Sequence, residues 1–273
     1  MAITIFGSEL IDFQSLFRSA VYSTDYLATK GWLLGHTWSL AVEEQFYLIL
    51  PFVLLLFGVG RAKRILFYVI LLSPLIRLAD FSISGDDNLW VLKGFHANID
   101  ALGVGCMLAF YQNKLKNSQI FSRTSTKWAI FLMPIAILVI NLQHEHPKFF
   151  YGFGISAMNV MIALCIYWCV VNYSSAVGRL LNSSPLVKIG AMSYSIYLWQ
   201  QPFFDPRSSM WFTSTPFNFI GLVVMTLFSY YVVERYSLKL RQRWEMRLFD
   251  NSKASNKVVH LPAKMGEPIE TAF

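Results

Sequence analysis

The feature that most constrains this chain is a pair of adjacent carboxylates, Glu43 and Glu44, at the head of a long apolar run from Leu48 to Val59. An acidic side chain at the middle of a bilayer costs about 2.5–3.5 kcal/mol on insertion scales, so an acid placed there needs a partner and marks a function. The alternative is an interfacial helix start whose glutamates are solvated. As a helix, His36, Ser39, Glu43 and Tyr47 share one stripe, because residues three or four apart are neighbours. Glu44 points about 100° away. Pro51 has no N–H for the Tyr47 carbonyl, which predicts a kink one turn beyond the acids.

Composition supports a bilayer setting. Only 14% of the 273 residues are charged, 55% are hydrophobic, and mean hydropathy is +0.45. A soluble domain would carry about a quarter charged residues. The net charge of +7 does not form a basic patch but is distributed between apolar runs, which argues against a nucleic-acid partner. Cys106, Cys165 and Cys169 all fall inside apolar runs, as small packing residues do, and not in a disulfide framework. Residues 1–20 include Glu9, Asp12, Gln14 and Arg18 without a basic start or a sustained apolar core, unlike a signal peptide.

Apolar runs predict spans at residues 36–60, 65–82, 95–111, 128–142, 152–173, 190–204 and 217–234, preceded by an interfacial helix near Ile11–Val21. Three domains follow: an N-terminal interfacial segment (1–35), a transmembrane all-α bundle of about seven helices (36–236), and a basic tail (237–273) disordered at its end. Gly85-Asp86-Asp87-Asn88 reads as a turn. Basic residues crowd alternate connections. Arg61, Lys63 and Arg64 occupy the first; Lys114, Lys116, Arg123 and Lys127 the third; Arg179 and Lys188 the fifth; eight more lie from Arg235 to Lys264. The intervening connections hold only Lys93, Lys148 and Arg207. This strict alternation is a positive-inside pattern, and it predicts a multi-pass inner-membrane protein with a cytoplasmic C-terminus.

That orientation puts Glu43, Arg77, His96, Asp100, Gln200 and Gln201 near the outer ends of their spans, at a depth of roughly 5–10 Å by helix rise. Polar groups at one depth either pair, line a shared wet pocket, or are solvated separately. The expectation is a single pocket, with Arg77 as counter-ion to Glu43 or Asp100.

Four stretches then carry a resemblance. Trp38-Ser39-Leu40-x-x-Glu43-x-Gln45-Phe46-Tyr47, followed by Pro51, resembles the signature of the membrane acyltransferase-3 family. Asp100-x-Leu102-x-x-Gly105 resembles a second family segment, with Asn98 where a basic residue is usual. Ser193-Tyr194-x-x-Tyr197-Leu198-x-Gln200-x-Pro202 resembles a third, with Gln200 at a position where histidine is common. Tyr230-x-x-x-Glu234 resembles the closing segment, with Tyr236 replacing proline. The likeness covers about residues 36–236.

The resemblance implies an integral-membrane O-acyltransferase. Its donor would be acyl-CoA, most simply acetyl-CoA, and its acceptor a carbohydrate or glycolipid hydroxyl, as in polysaccharide O-acetylation. Family members usually have ten spans, the first holding an arginine and, some ten residues on, a histidine that serves as base. Here Arg18 is followed by Ala28 at that distance, and residues 1–35 hold no span. The chain therefore resembles the last seven spans, and it is expected to be inactive alone unless a partner chain supplies the first three.

Acyl transfer needs a base for the acceptor hydroxyl and donors for the tetrahedral oxyanion. Glu43 is the candidate to orient an imidazole, as the acid does in a Ser-His-Asp arrangement. The candidate catalytic set is Glu43, Ser39, His36, Asp100 and Arg77; candidate substrate contacts are Trp38, Tyr47, His96, Tyr194, Ser195, Tyr197 and Gln200. His36 and His96 are alternative bases, or interfacial histidines at span mouths, and the helical aromatics are alternatively packing residues. Glu234 beside Arg235 reads as a helix-end ion pair. The basic residues Lys239, Arg241, Arg243 and Arg247 suit anionic lipid headgroups or, less directly, acyl-CoA phosphates. His144-x-His146 has no third ligand in view, so no metal is expected. The rival classes are a transport or scaffold protein and a non-catalytic remnant; the paired, Gly/Pro-interrupted halves of a transporter are not evident.

Overall fold

A computed structural model describes residues 2–5, 9–26, 33–85, 92–117, 124–205 and 210–246. The expected turn at 86–88 and the tail beyond 246 lie outside them. The chain is an all-α membrane helix bundle with one small adjunct, an antiparallel hairpin of β1 (Ala2–Ile5) and β2 (Glu9–Asp12) in the register Ala2↔Asp12 to Ile5↔Glu9. The helix expected near Ile11–Val21 is α1 (Phe13–Ala20), shorter than expected because Ile11 and Asp12 belong to β2. Three consecutive β-branched residues, Ile3, Thr4 and Ile5, favour the strand. Strong hydrophobic periodicity in the residues that follow masked it.

The largest element is α2 (Thr37–Ser84), whose 48 residues would run about 72 Å if straight, more than twice a bilayer core. It does not run straight. Gly58 has φ 69° and ψ 163°, a conformation open essentially to glycine alone, and every other residue of α2 stays helical, Pro51 and Pro74 included. The chain folds back there: Phe46, Leu50 and Val53 of the first arm line one apolar slot with Ala62, Leu66 and Val69 of the second, and with Ile99. The turn thus comes at Gly58, ahead of the expected loop. Arg61–Arg64 already belongs to the second arm, since their charge marks the membrane surface without breaking a helix.

Next come α3 (Phe95–Asn117), α4 (Thr124–Asn141) and α5 (Pro147–Val171), the last opening with a wide π turn over Phe150–Gly154. Gly103 of α3 lets the second arm approach closely: a Cβ there would meet Ile70 and Leu66 at 3.0–3.2 Å. Two short helices, α6 (Ala176–Leu181) and α7 (Ser184–Ala191), lead into α8 (Ser193–Phe203), and α9 (Phe217–Met246) closes the bundle. Gly221 of α9 seats the Phe203 ring at the end of α8.

Among the described residues, Thr37–Ser84, Pro147–Val171 and Phe217–Met246 are long and apolar enough to cross a membrane, with a shorter apolar helix at Ile130–Asn141. The remaining expected spans fall short of that criterion for visible reasons. Asp100, Lys114 and Lys116 lower the hydropathy of α3, and the sixth span is broken at Met192 into α7 and α8, of eight and eleven residues. Burial is inverted relative to a soluble domain. Leu55 and Leu56 are 81% and 74% exposed, whereas the largest fully buried side chains are Arg77, Thr24, Asp25, Asp100, Ser15, Ser73 and Ser195. Apolar groups that face outward on these helices suit lipid, and polar groups are driven inward to find partners.

Candidate active site

The polar groups expected to share one pocket divide into three clusters. The first is closed. Arg77 on the second arm of α2 and Asp100 on α3 are both fully buried and form a two-pronged ion pair, Nη1–Oδ1 and Nη2–Oδ2 each 2.9 Å. The rest of the guanidinium is also used: Nη1 donates to the Ala97 carbonyl (2.6 Å), Nε to the Tyr151 carbonyl (2.8 Å), and Nη2 to Ser156 Oγ. Ser156 Oγ in turn donates to Asp100 Oδ2. Five N–H groups thus meet five acceptors, and no water or substrate is needed to satisfy them. Arg77 and Asp100 pin α2, α3 and the π turn of α5 together. Ser156 went unnoticed in the sequence because a single serine in an apolar run gives no signal.

The second cluster is open. Ser39, Leu40 and Glu43 of the first arm face Ser193, Tyr194 and Tyr197 of α8 across a cavity of about 470 Å3. Helical spacing explains the set, since 39 and 43, like 193 and 197, are one turn apart. The Tyr197 hydroxyl donates to the His36 carbonyl and is hydrogen-bonded to Ser39 Oγ, which ties α8 to the head of α2. The His36 ring lies edge-on to Tyr197 at 5.0 Å between centroids; it is buried, and among the described residues neither ring nitrogen makes a well-formed hydrogen bond. Glu43 is exposed to the cavity and does not pair with Arg77. Tyr194, half exposed, sits within electrostatic reach of Glu43, Glu44 and Glu234.

Ser195, one residue on, faces away from the cavity: fully buried, it donates to Glu234 Oε2 (2.9 Å) and lies 3.3 Å from Ser229 Oγ on α9. Glu234 is therefore a partner of α8, whereas Arg235 lies over the Tyr231 ring. Tyr47 is 57% exposed on the flank of α2, and Gln200 is half-buried on α8 outside the cavity lining.

The third cluster stands at the start of α3. His96 Nε2 is 2.9 Å from Asp80 Oδ2, and its Nδ1 is 3.1 Å from the Tyr26 hydroxyl. Asp25, fully buried, accepts from the Phe95 N–H and from Gln45 Nε2. Trp38 lies 6.0 Å beneath the half-buried Lys93 ammonium, whose pKa burial pulls down. Asp80 and Tyr26 were not singled out in the sequence. An acid four residues short of a helix end and a tyrosine in a polar loop become a pair only through His96.

An integral-membrane helix bundle with an acid-bearing, hydroxyl-lined cleft is the class that this arrangement defines. Residues 3–234 match the family model described as an acyltransferase domain, and the chain belongs to that acyltransferase-3 family, whose members transfer groups other than amino-acyl groups. The chain is 30% identical over 181 residues to YrhL of Bacillus subtilis (strain 168), provisionally named a peptidoglycan O-acetyltransferase; the match covers 62% of this chain and 28% of the relative. It is 31% identical over 180 residues to the O-acetyltransferase OatA of Staphylococcus aureus (strain NCTC 8325), covering 62% and 29%. The matched region thus spans under a third of the length of these curated relatives. No solved structure matches the chain.

Proposed function

We propose that the chain carries the acyl-transfer site of a membrane O-acyltransferase, moving an acetyl group from acetyl-CoA to a carbohydrate hydroxyl in the cleft between α2 and α8, within a working unit of residues 36–236. The observation that carries this reading is Glu43, a carboxylate on an apolar membrane helix that faces a cavity and makes no ion pair among the described residues. At that position an acid is costly unless it binds an imidazole, a cation or a proton in the working protein. Ser39, Tyr194 and Tyr197 supply hydroxyls around the same space, able to hold an acceptor sugar and to donate toward an oxyanion. His36 is on the same helical face, but its ring packs on Tyr197, two turns from Glu43. The imidazole that completes the site comes, in this reading, from a span outside the described helices, on a preceding segment or on a partner chain.

The resemblance of the relatives' names favours a cell-wall polysaccharide as the acceptor. The alternating basic connections favour the inner membrane with the C-terminus in the cytoplasm. The test is alkali-labile acetate on sugar after incubation of labelled acetyl-CoA with membranes that carry this chain alone, or this chain together with the spans encoded upstream. Transfer by the longer form and little by the chain alone supports the completed-site reading. No transfer by either form refutes it and leaves a scaffold or remnant.

A further inference from the structure

Helix α9 is longer than the bilayer it crosses. Its 30 residues run about 45 Å against a hydrocarbon core of about 30 Å, so close to ten residues project beyond the lipid tails. The sequence decides which end projects. Phe217–Phe228 is apolar apart from Asn218 and Thr226, whereas residues 235–246 hold four bases and one acid. All of residues 235–246 are exposed, so no other described helix buries this end. Helical spacing sorts it into stripes. Arg235, Lys239 and Arg243 recur every four residues along one face; Tyr236, Leu240 and Trp244 recur along the next, about 100° round. Arg241 points elsewhere and is paired with Glu245 at 2.7 Å, which occupies the acid of the segment. Of the basic residues grouped in the sequence, Arg241 therefore leaves the stripe, Arg247 lies outside the described residues, and Arg235 joins Lys239 and Arg243.

We propose that this end of α9 is a binding surface for the anionic phospholipid headgroups of the leaflet from which the helix emerges. A row of three cations beside a row of tyrosine, leucine and tryptophan matches the two layers of a lipid interface. The ammonium and guanidinium groups reach phosphates, the aromatic rings sit at headgroup level, and the leucine touches the upper acyl chain. The two stripes adjoin, so a tilt of α9 lays both against the membrane surface at once. A soluble phosphate such as that of coenzyme A fits less well. A single exposed helix encloses no nucleotide base, and it leaves Leu240 and Trp244, 44% and 57% exposed, in water. Glu234, the residue just before the stripes, holds Ser195 of α8. A headgroup that seats α9 thereby steadies the helix that carries Tyr194 and Tyr197.

The experiment uses the full chain in phosphatidylcholine proteoliposomes, with phosphatidylglycerol brominated on its acyl chains as the probe and tryptophan fluorescence as the readout. It needs neither a donor nor a sugar, so it is independent of the reading of the Glu43 cleft. The difference between the wild type and Trp244→Phe isolates the signal of Trp244. That signal is expected to be quenched at a far lower fraction of brominated phosphatidylglycerol than of brominated phosphatidylcholine, and salt is expected to weaken the preference. Arg235→Gln/Lys239→Gln/Arg243→Gln, made with and without Trp244, is expected to lower the preference about fivefold per residue, or about 100-fold in all. Arg235→Lys/Arg243→Lys, which keeps the charge, and Arg241→Gln, which lies off the stripe, are each expected to keep the wild-type preference. Equal quenching by the two lipids, a preference that survives the triple variant, or the same loss in Arg241→Gln overturns the proposal. Displacement of the brominated phosphatidylglycerol by soluble coenzyme A also overturns it, in favour of a soluble phosphate site.

Discussion

Asp100→Ala is the perturbation whose consequence the geometry fixes best. It leaves the Arg77 guanidinium fully buried with the Ala97 and Tyr151 carbonyls and Ser156 as acceptors, but with no countercharge. Breaking a buried pair from one side costs about 3–5 kcal/mol, which is two to three and a half decades in the folded-to-unfolded ratio. Arg77→Met belongs in the same range, because it strands the Asp100 carboxylate with Ser156 alone and takes one donor from each of two carbonyls. The double variant Arg77→Met/Asp100→Leu has no charge left to strand, so it is expected to be less destabilised than either single change. The assay is unfolding in mixed micelles by increasing dodecyl sulfate, followed by two spectroscopic probes to check for a single transition. Single losses that are each below about 1 kcal/mol and simply add would refute a closed, charge-coupled cluster.

Gly58→Val forces a β-branched side chain into φ 69°, ψ 163°, so a loss of about 1–3 kcal/mol and a splayed α2 are expected, measurable as stability and as a changed cross-linking pattern between Val53 and Ala62 positions. Glu234→Gln weakens the Ser195 bond from charged to neutral, and about 1 kcal/mol of stability is expected to go, with a matching loss in Ser195→Ala if the two share one interaction.

Much of the fold was legible because bilayer physics leaves few choices. Apolar runs of suitable length and the alternation of basic connections were enough to read an all-α membrane bundle from the sequence. The Glu43 stripe was legible too, since helical spacing alone sets Ser39 and Glu43 on one face. What escaped was which polar residues of different helices meet. Arg77 had two acids at a similar depth, and depth does not distinguish them; only the azimuth of each helix does, and it selects Asp100. Ser156, Tyr26 and Asp80 owe their roles to partners far away in the chain. The Gly58 turn was hidden by the basic residues just beyond it, which mark an interface as strongly as a loop does. The break at Met192 had no Gly or Pro at its position to announce it.

A sealed ion pair and an open acid-bearing cleft divide the labour between structure and chemistry, and acetyl transfer by two variants tests that division most directly. Both are made in the longest form of the protein that acetylates a sugar. Glu43→Gln is expected to fold as the wild type does and to lose at least about 100-fold in rate, whereas Arg77→Met/Asp100→Leu, once shown to be folded, is expected to stay within about tenfold of the wild-type rate. Glu43→Gln transferring acetyl at the wild-type rate would contradict the account.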